Sequence, residues 1–167
     1  MYKFFIIGTM MLSLTACETP QEEPKKLAST HILVEKAKRK LSLFHQNELI
    51  KTYNIAIGKS PEGHKEREGD FKTPEGIYTI AKKNPKSKYH RALQISYPNE
   101  QDKQNARKKG YKPGGDIMIH GLEPHYWWVT PRHKLQDITR GCIVVSNQEI
   151  NEIYDLIPVG TKIEIKP

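Results

Sequence analysis

The segment Ile117–Asn147, IMIHGLEPHYWWVTPRHKLQDITRGCIVVSN, contains two apolar runs, and each adjoins a residue capable of chemistry. Ile117 to Ile119 ends on His120-Gly121, and Ile143 to Val145 follows directly on Thr139-Arg140-Gly141-Cys142. Short runs this rich in β-branched residues read as buried strands. Paired in one sheet, they would bring the His120 imidazole beside the Cys142 thiol, although the chain between is long. A thiol attacks a carbonyl only as thiolate, and an ordinary cysteine is mostly protonated near neutrality, so it needs a base. Gly141 fits this reading. A side chain there would crowd an incoming carbonyl, and backbone N–H groups around Gly121, Gly141 and Cys142 could face a developing oxyanion.

The rest of the stretch supplies candidates for substrate contact. Tyr126, Trp127 and Trp128 are suited to a groove wall or to core filling. Thr139 and Arg140 flank the Gly-Cys pair, and a guanidinium there could hold a carboxylate or favour the thiolate. Asp137 could orient a positive group or anchor a turn. Asn147 reads as a helix N-cap near the same site. His120, His125, His133 and Cys142 form H-x4-H-x7-H-x8-C, which matches none of the short paired-ligand spacings of zinc sites, so neither metal nor cofactor is expected.

His120-Gly121, then Thr139-Arg140-Gly141-Cys142-Ile143 and Asn147, resembles the catalytic signature of the L,D-transpeptidase (YkuD-type) family. Gly69-Asp70-Phe71-Lys72-Thr73-Pro74-Glu75-Gly76 resembles the Thr-Pro-x-Gly start of one of its strands, and the likeness spans Thr30 to Lys166. Arg140 stands where the family has histidine, and Val144 where it has arginine. Asp-Ile-Thr-Arg-Gly-Cys together with Pro113 to Gly121 is closer to a divergent branch that includes the enzyme releasing the major outer-membrane lipoprotein from peptidoglycan. The resemblance implies a β-sandwich with the cysteine in a cleft, and a Cys142 thioester formed on a peptidoglycan stem peptide at the carbonyl of its third residue, the L-centre of diaminopimelate. It also implies acylation of that thiol by carbapenems. An amine acceptor gives transpeptidation, whereas water gives an amidase that frees an attached lipoprotein.

The remaining chain sets the context. Lys3, the apolar run from Phe4 to Leu14 and Leu14-Thr15-Ala16-Cys17 read as a lipoprotein-type signal over residues 1–16, too short to span a membrane. Cys17 would carry lipid, and 17–29, with Glu18 to Lys26 polar and bearing two prolines, reads as a flexible tether. Residues 30–167 form the expected catalytic domain. The expected location is periplasmic and membrane-anchored, with a monomer acting on peptidoglycan. Cys142 is then left without a disulfide partner in an oxidising compartment. The formal charge of +8 favours polyanions, but an exported lipoprotein meets little nucleic acid, and most lysines read as solvated surface. The rival reading is a non-catalytic lipoprotein that binds the wall through its basic face.

Alternating runs at His31 to Val34, Leu41 to Phe44 and Thr52 to Ile57 suggest a meander, the last two flanking a Gln46-Asn47 turn. Gly58 to Lys72 reads as a loop, in which His64 has no evident companion, and Ile77 to Ile80 as a strand. Asn84 to His90 reads as a basic turn after which Tyr89, His90 and Arg91 could line a groove, and Arg91 to Tyr97 as a strand. Asn99 to Lys109 suggests a polar, weakly packed helix, and Ile150, Ile153, Tyr154 and Ile157 the packed face of a second. Thr161 to Ile165 closes the tally. The expected fold is mainly β, a sandwich or flattened barrel with one or two short helices.

Overall fold

Gln46 and Asn47 both adopt left-handed backbone angles, φ +47 and +72. Two such residues in succession give the turn whose twist matches the strands it joins. It connects β2 (Lys40–His45) to β3 (Glu48–Asn54), and β1 (His31–Glu35) lies antiparallel to β2. The computed structural model describes residues 28–123 and 137–167. Its other strands are β4 (Gly76–Ser87), β5 (His90–Ile95), β6 (Met118–His120), β7 (Ile143–Val144) and β8 (Lys162–Lys166).

All eight form one sheet in the order β3-β2-β1-β8-β4-β5-β6-β7, curled into a half-barrel. β8 runs parallel to β1 and antiparallel to β4, which seats the last strand mid-sheet. The curl brings the two edges together. Just past β3, Ala56 exchanges backbone hydrogen bonds with Val144 of β7 at 3.0 and 2.8 Å. β7 is therefore held on one side by β6 and on the other by the chain leaving β3.

Alternation fills the interior. Ile32 and Val34, Leu41 and Leu43, Leu93 and Ile95, and Ile163 and Ile165 point inward and are buried. Each fully buried aliphatic side chain contributes about 1.5–3 kcal/mol. Helix α2 (Asn147–Leu156) covers one face with Ile150, Ile153 and Leu156, and Ile157 follows at its C-cap, also buried.

Several elements depart from the sequence expectations for identifiable reasons. β3 begins at Glu48 because the tight turn restarts pairing at once, and residues 55–57 leave the ladder to meet β7. β4 continues to Ser87 despite Pro85, since the shift in register between Asn84 and Ser87 takes up the residue without an N–H. The cap of α2 is Ser146, whose hydroxyl accepts from Glu149 N–H while the Glu149 carboxylate accepts from Ser146 N–H. Helix α1 (Glu100–Lys108) has the expected Asn99 cap, but it docks through charge: the buried Asp102 accepts from Tyr78 O–H at 3.0 Å and faces His64 Nε2 at 3.2 Å. His64 thus has a companion, and its Nδ1 also accepts from Glu75 N–H at 3.0 Å. Lys36 and Lys65 are buried rather than solvated, Lys36 on Glu75 and Lys65 on Asp70, both at 2.7 Å.

Candidate functional site

β6 and β7 are parallel neighbours, with Ile119 opposite Ile143 and His120 opposite Val144. Extending the alternation one step before β7 puts Cys142 on the same face as His120, displaced by two residues along the strands. The expected pairing of the two runs is thus present in the sheet. Cys142 is half-buried and its Sγ lies 3.6 Å from Asp116 O. Burial raises the thiol above its ordinary value, outweighing the Met118 N–H and the Lys65 ammonium that favour the thiolate.

The buried His120 places Nδ1 at 2.6 Å from Gly121 O. Only a protonated Nδ1 can meet a carbonyl, so Nε2 carries the free lone pair. Burial lowers the imidazole pKa, and the Gly121 bond works against it. Both shifts favour the uncharged form, thiol on Cys142 and neutral ring on His120. The ring of Tyr89 stacks on His120 at 4.3 Å between centroids and 24° between planes.

The turn before Cys142 is held by hydroxyls. Thr139 Oγ1 donates to Cys142 O at 2.8 Å and accepts from Gly141 N–H at 3.0 Å. From the other side, the fully buried Thr73 donates to Gly141 O and accepts from Gly58 N–H, both at 3.0 Å. Thr73 is delivered there by Asp70, which accepts from Glu66, Arg67 and Lys72 N–H while paired with Lys65. Gly141 has φ +125, and a Cβ there would come within 2.5 Å of Lys72 O. The close approach of this loop, not an incoming substrate, is what requires glycine.

The expected oxyanion donors need correcting. Gly141 N–H is taken by Thr139 and Gly121 N–H donates to Arg91 O at 3.3 Å, so neither is free. Cys142 N–H has no acceptor among the described residues. Gly121 instead serves packing, because a Cβ would meet Asn147 Oδ1 at 2.5 Å and Ile150 Cγ2 at 2.9 Å. Relieved of capping, Asn147 accepts from Leu122 N–H at 2.6 Å and pins the chain leaving His120. Asp137 is an anchor: Arg39 Nε donates to its Oδ2 at 2.8 Å and Ile57 N–H to its Oδ1 at 3.0 Å. The Thr139 hydroxyl, the Asp137 carboxylate and Asn147 Oδ1 therefore bond to the framework. Arg140 is exposed, near enough to Lys88 for their charges to repel. Tyr126, Trp127, Trp128, His125, His133 and Cys17 lie outside the described residues.

Sequence reasoning missed the stack on His120, for which an isolated tyrosine gives no signal, and the Asp70 clamp. The clamp was readable in part, since Gly-Asp before Thr-Pro marks a turn.

The family profile described as the L,D-transpeptidase catalytic domain (YkuD) matches residues 29–165. "Putative L,D-transpeptidase YafK" of Escherichia coli K12 is 30% identical over 157 residues, covering 88% of this chain and 56% of that protein. "Putative L,D-transpeptidase YqjB" of Bacillus subtilis is 28% identical, covering 81% and 70%. Among solved structures, the helical cell shape determining protein Pgp2 of Campylobacter jejuni, as its K307A mutant, is 26% identical with a TM-score of 0.63, covering 84% of this chain and 48% of that one. The chain thus spans about half the length of YafK and of Pgp2. With its fold and its paired His-Gly and Gly-Cys strands, this chain belongs to the L,D-transpeptidase (YkuD) catalytic domain family.

Proposed function

We propose that the protein is a cysteine acyltransferase of the cell envelope, acting on peptidoglycan stem peptides as an L,D-transpeptidase. The observation that carries this is the parallel pairing of β6 with β7, which sets Cys142 and His120 on one face, with no partner for His120 Nε2 among the described residues. Cys142 Sγ attacks the peptide carbonyl as His120 Nε2 takes the thiol proton. The carbon–sulfur bond forms, the amide carbon–nitrogen bond breaks, and the proton passes to the departing amine. Cys142 N–H is the donor left for the oxyanion. An incoming amine then resolves the thioester.

A second reading has water as acceptor, which makes the protein an amidase releasing a wall-linked lipoprotein. Val144 supports it: where the family has arginine, this side chain is apolar and 6% exposed, so no cation is offered there to an acceptor's carboxylate. We further place the protein outside the inner membrane, anchored by lipid on Cys17.

Incubating the protein with lipoprotein-bearing sacculi and reading products by mass tests both. New cross-links support transfer, and free lipoprotein with trimmed stems supports the amidase. Cys142→Ala should abolish either while keeping the fold, and a carbapenem should add its mass at Cys142. Turnover by the alanine variant, or salt-sensitive sacculus binding with unchanged muropeptides, would overturn the catalytic reading.

A further inference from the structure

We propose that Tyr89 is a positioning residue for the His120 base, fixing the plane of the imidazole so that Nε2 can take the Cys142 thiol proton at attack. The inference rests on the cysteine reading above and adds a residue to its machinery. The bond from Nδ1 to Gly121 O fixes one atom of the ring, and the outer torsion of a histidine is broad. One atom held leaves the ring free to swing about it. A second aromatic plane at 4.3 Å and 24° removes that freedom, because tilting the imidazole would drive it into the tyrosine or open a gap beside it.

Tyr89 is itself held. It sits in the turn between β4 and β5, where its N–H donates to Ser87 Oγ at 3.1 Å. The flanking side chains are drawn toward α2, with His90 Nε2 at 2.8 Å from Asn151 Oδ1 and Arg91 Nη1 at 3.2 Å from Asp155 Oδ1. The Tyr89 carbonyl packs so closely that a Cβ on Gly121 would approach it to 3.1 Å. The turn is thereby fitted against the strand end that carries the base, and His90 and Arg91 are spent on the helix while Tyr89 faces His120.

Lys88 adds a charge. Its Nζ lies 4.6 Å from the Tyr89 ring centroid. Among the described residues, the charged side chains that act on the imidazole are Lys88 from this turn and Glu123 from the chain after β6, opposite in sign. Burial and Lys88 both favour the neutral ring, the form that can accept a proton.

The test uses the full chain with Tyr89→Phe, Tyr89→Leu, Tyr89→Ala and His120→Gln, checked for fold by circular dichroism. The readouts are the Cys142 alkylation rate with iodoacetamide against pH, the NMR titration of His120, and kcat and KM on stem peptides. Tyr89→Phe should stay within about twofold of wild type, since stacking needs only the ring. Tyr89→Leu, which fills space without a stacking plane, should lose about tenfold in alkylation near neutrality and in kcat with KM held, part of the 10²–10⁴ that a positioned base supplies. The His120 titration should shift in Tyr89→Leu and Tyr89→Ala and return in Tyr89→Phe. Wild-type rates and titration in a folded Tyr89→Leu protein, or an equal loss in Tyr89→Phe, would overturn the inference. Wild-type alkylation in His120→Gln would instead sink the base itself and the proposed function with it.

Discussion

Replacing Thr73 by valine isolates the hydroxyl that ties the Gly141-Cys142 turn to the Gly58 backbone. Valine keeps the shape, so no cavity opens, and the loss is confined to two hydrogen bonds at 3.0 Å, one from Gly58 N–H and one to Gly141 O. Thr73 is fully buried, which leaves no water to take over. Each orphaned buried group costs about 1–3 kcal/mol, so Thr73→Val should lose roughly 2–6 kcal/mol. Thr73→Ser keeps the hydroxyl and loses one methyl, about 1 kcal/mol. Urea unfolding of the three proteins measures the difference, and the Cys142 alkylation rate reports whether the turn has shifted. A Thr73→Val protein within about 0.5 kcal/mol of Thr73→Ser would show that the hydroxyl does not hold the turn, refuting the argument from unsatisfied polar groups.

Other outcomes follow from the same geometry. Asp70→Asn leaves Lys65, 3% exposed, without its counter-ion and should cost about 3–5 kcal/mol in a denaturant melt. Burial works to raise the Asp70 carboxyl, but Lys65 and three backbone N–H groups outweigh it, so its pKa is lowered. Its stabilisation is therefore present above the unfolded carboxylate range and lost as pH falls through the folded value, and the variant should show a flatter acid limb of stability. Gly121→Ala forces a Cβ against Asn147 and Ile150 and should lose about 1–3 kcal/mol, read by thermal denaturation. Alkylation of Cys142 should rise twice with pH, first below the ordinary imidazole range and again above the ordinary thiol range, because burial lowers His120 and raises Cys142. A single rise to a plateau at neutrality would indicate a preformed thiolate–imidazolium pair instead.

The core was legible because alternation is a local property: Ile163 and Ile165, or Leu93 and Ile95, announce their face by spacing alone. Pairing of the His-Gly and Gly-Cys runs was legible because both are short, apolar and bounded by turns. What the chain concealed were partners distant in sequence. Nothing near Asp137 points to Arg39, nothing near His64 points to Asp102, and the burial of Lys36 depends on Glu75 arriving from the loop before β4. Caps were ambiguous for a related reason. Ser146 and Asn147 are both good caps, and the choice was made by Leu122 N–H, which needed the asparagine amide.

The two clamps on the crossover between β6 and β7 have an evolutionary consequence. Leu122 is fastened by Asn147 at one end, and Asp137 by Arg39 and Ile57 at the other. The sequence between these two fastenings can be rewritten or lengthened in a lineage while the residues that make them, Asn147, Arg39 and Ile57, stay as they are.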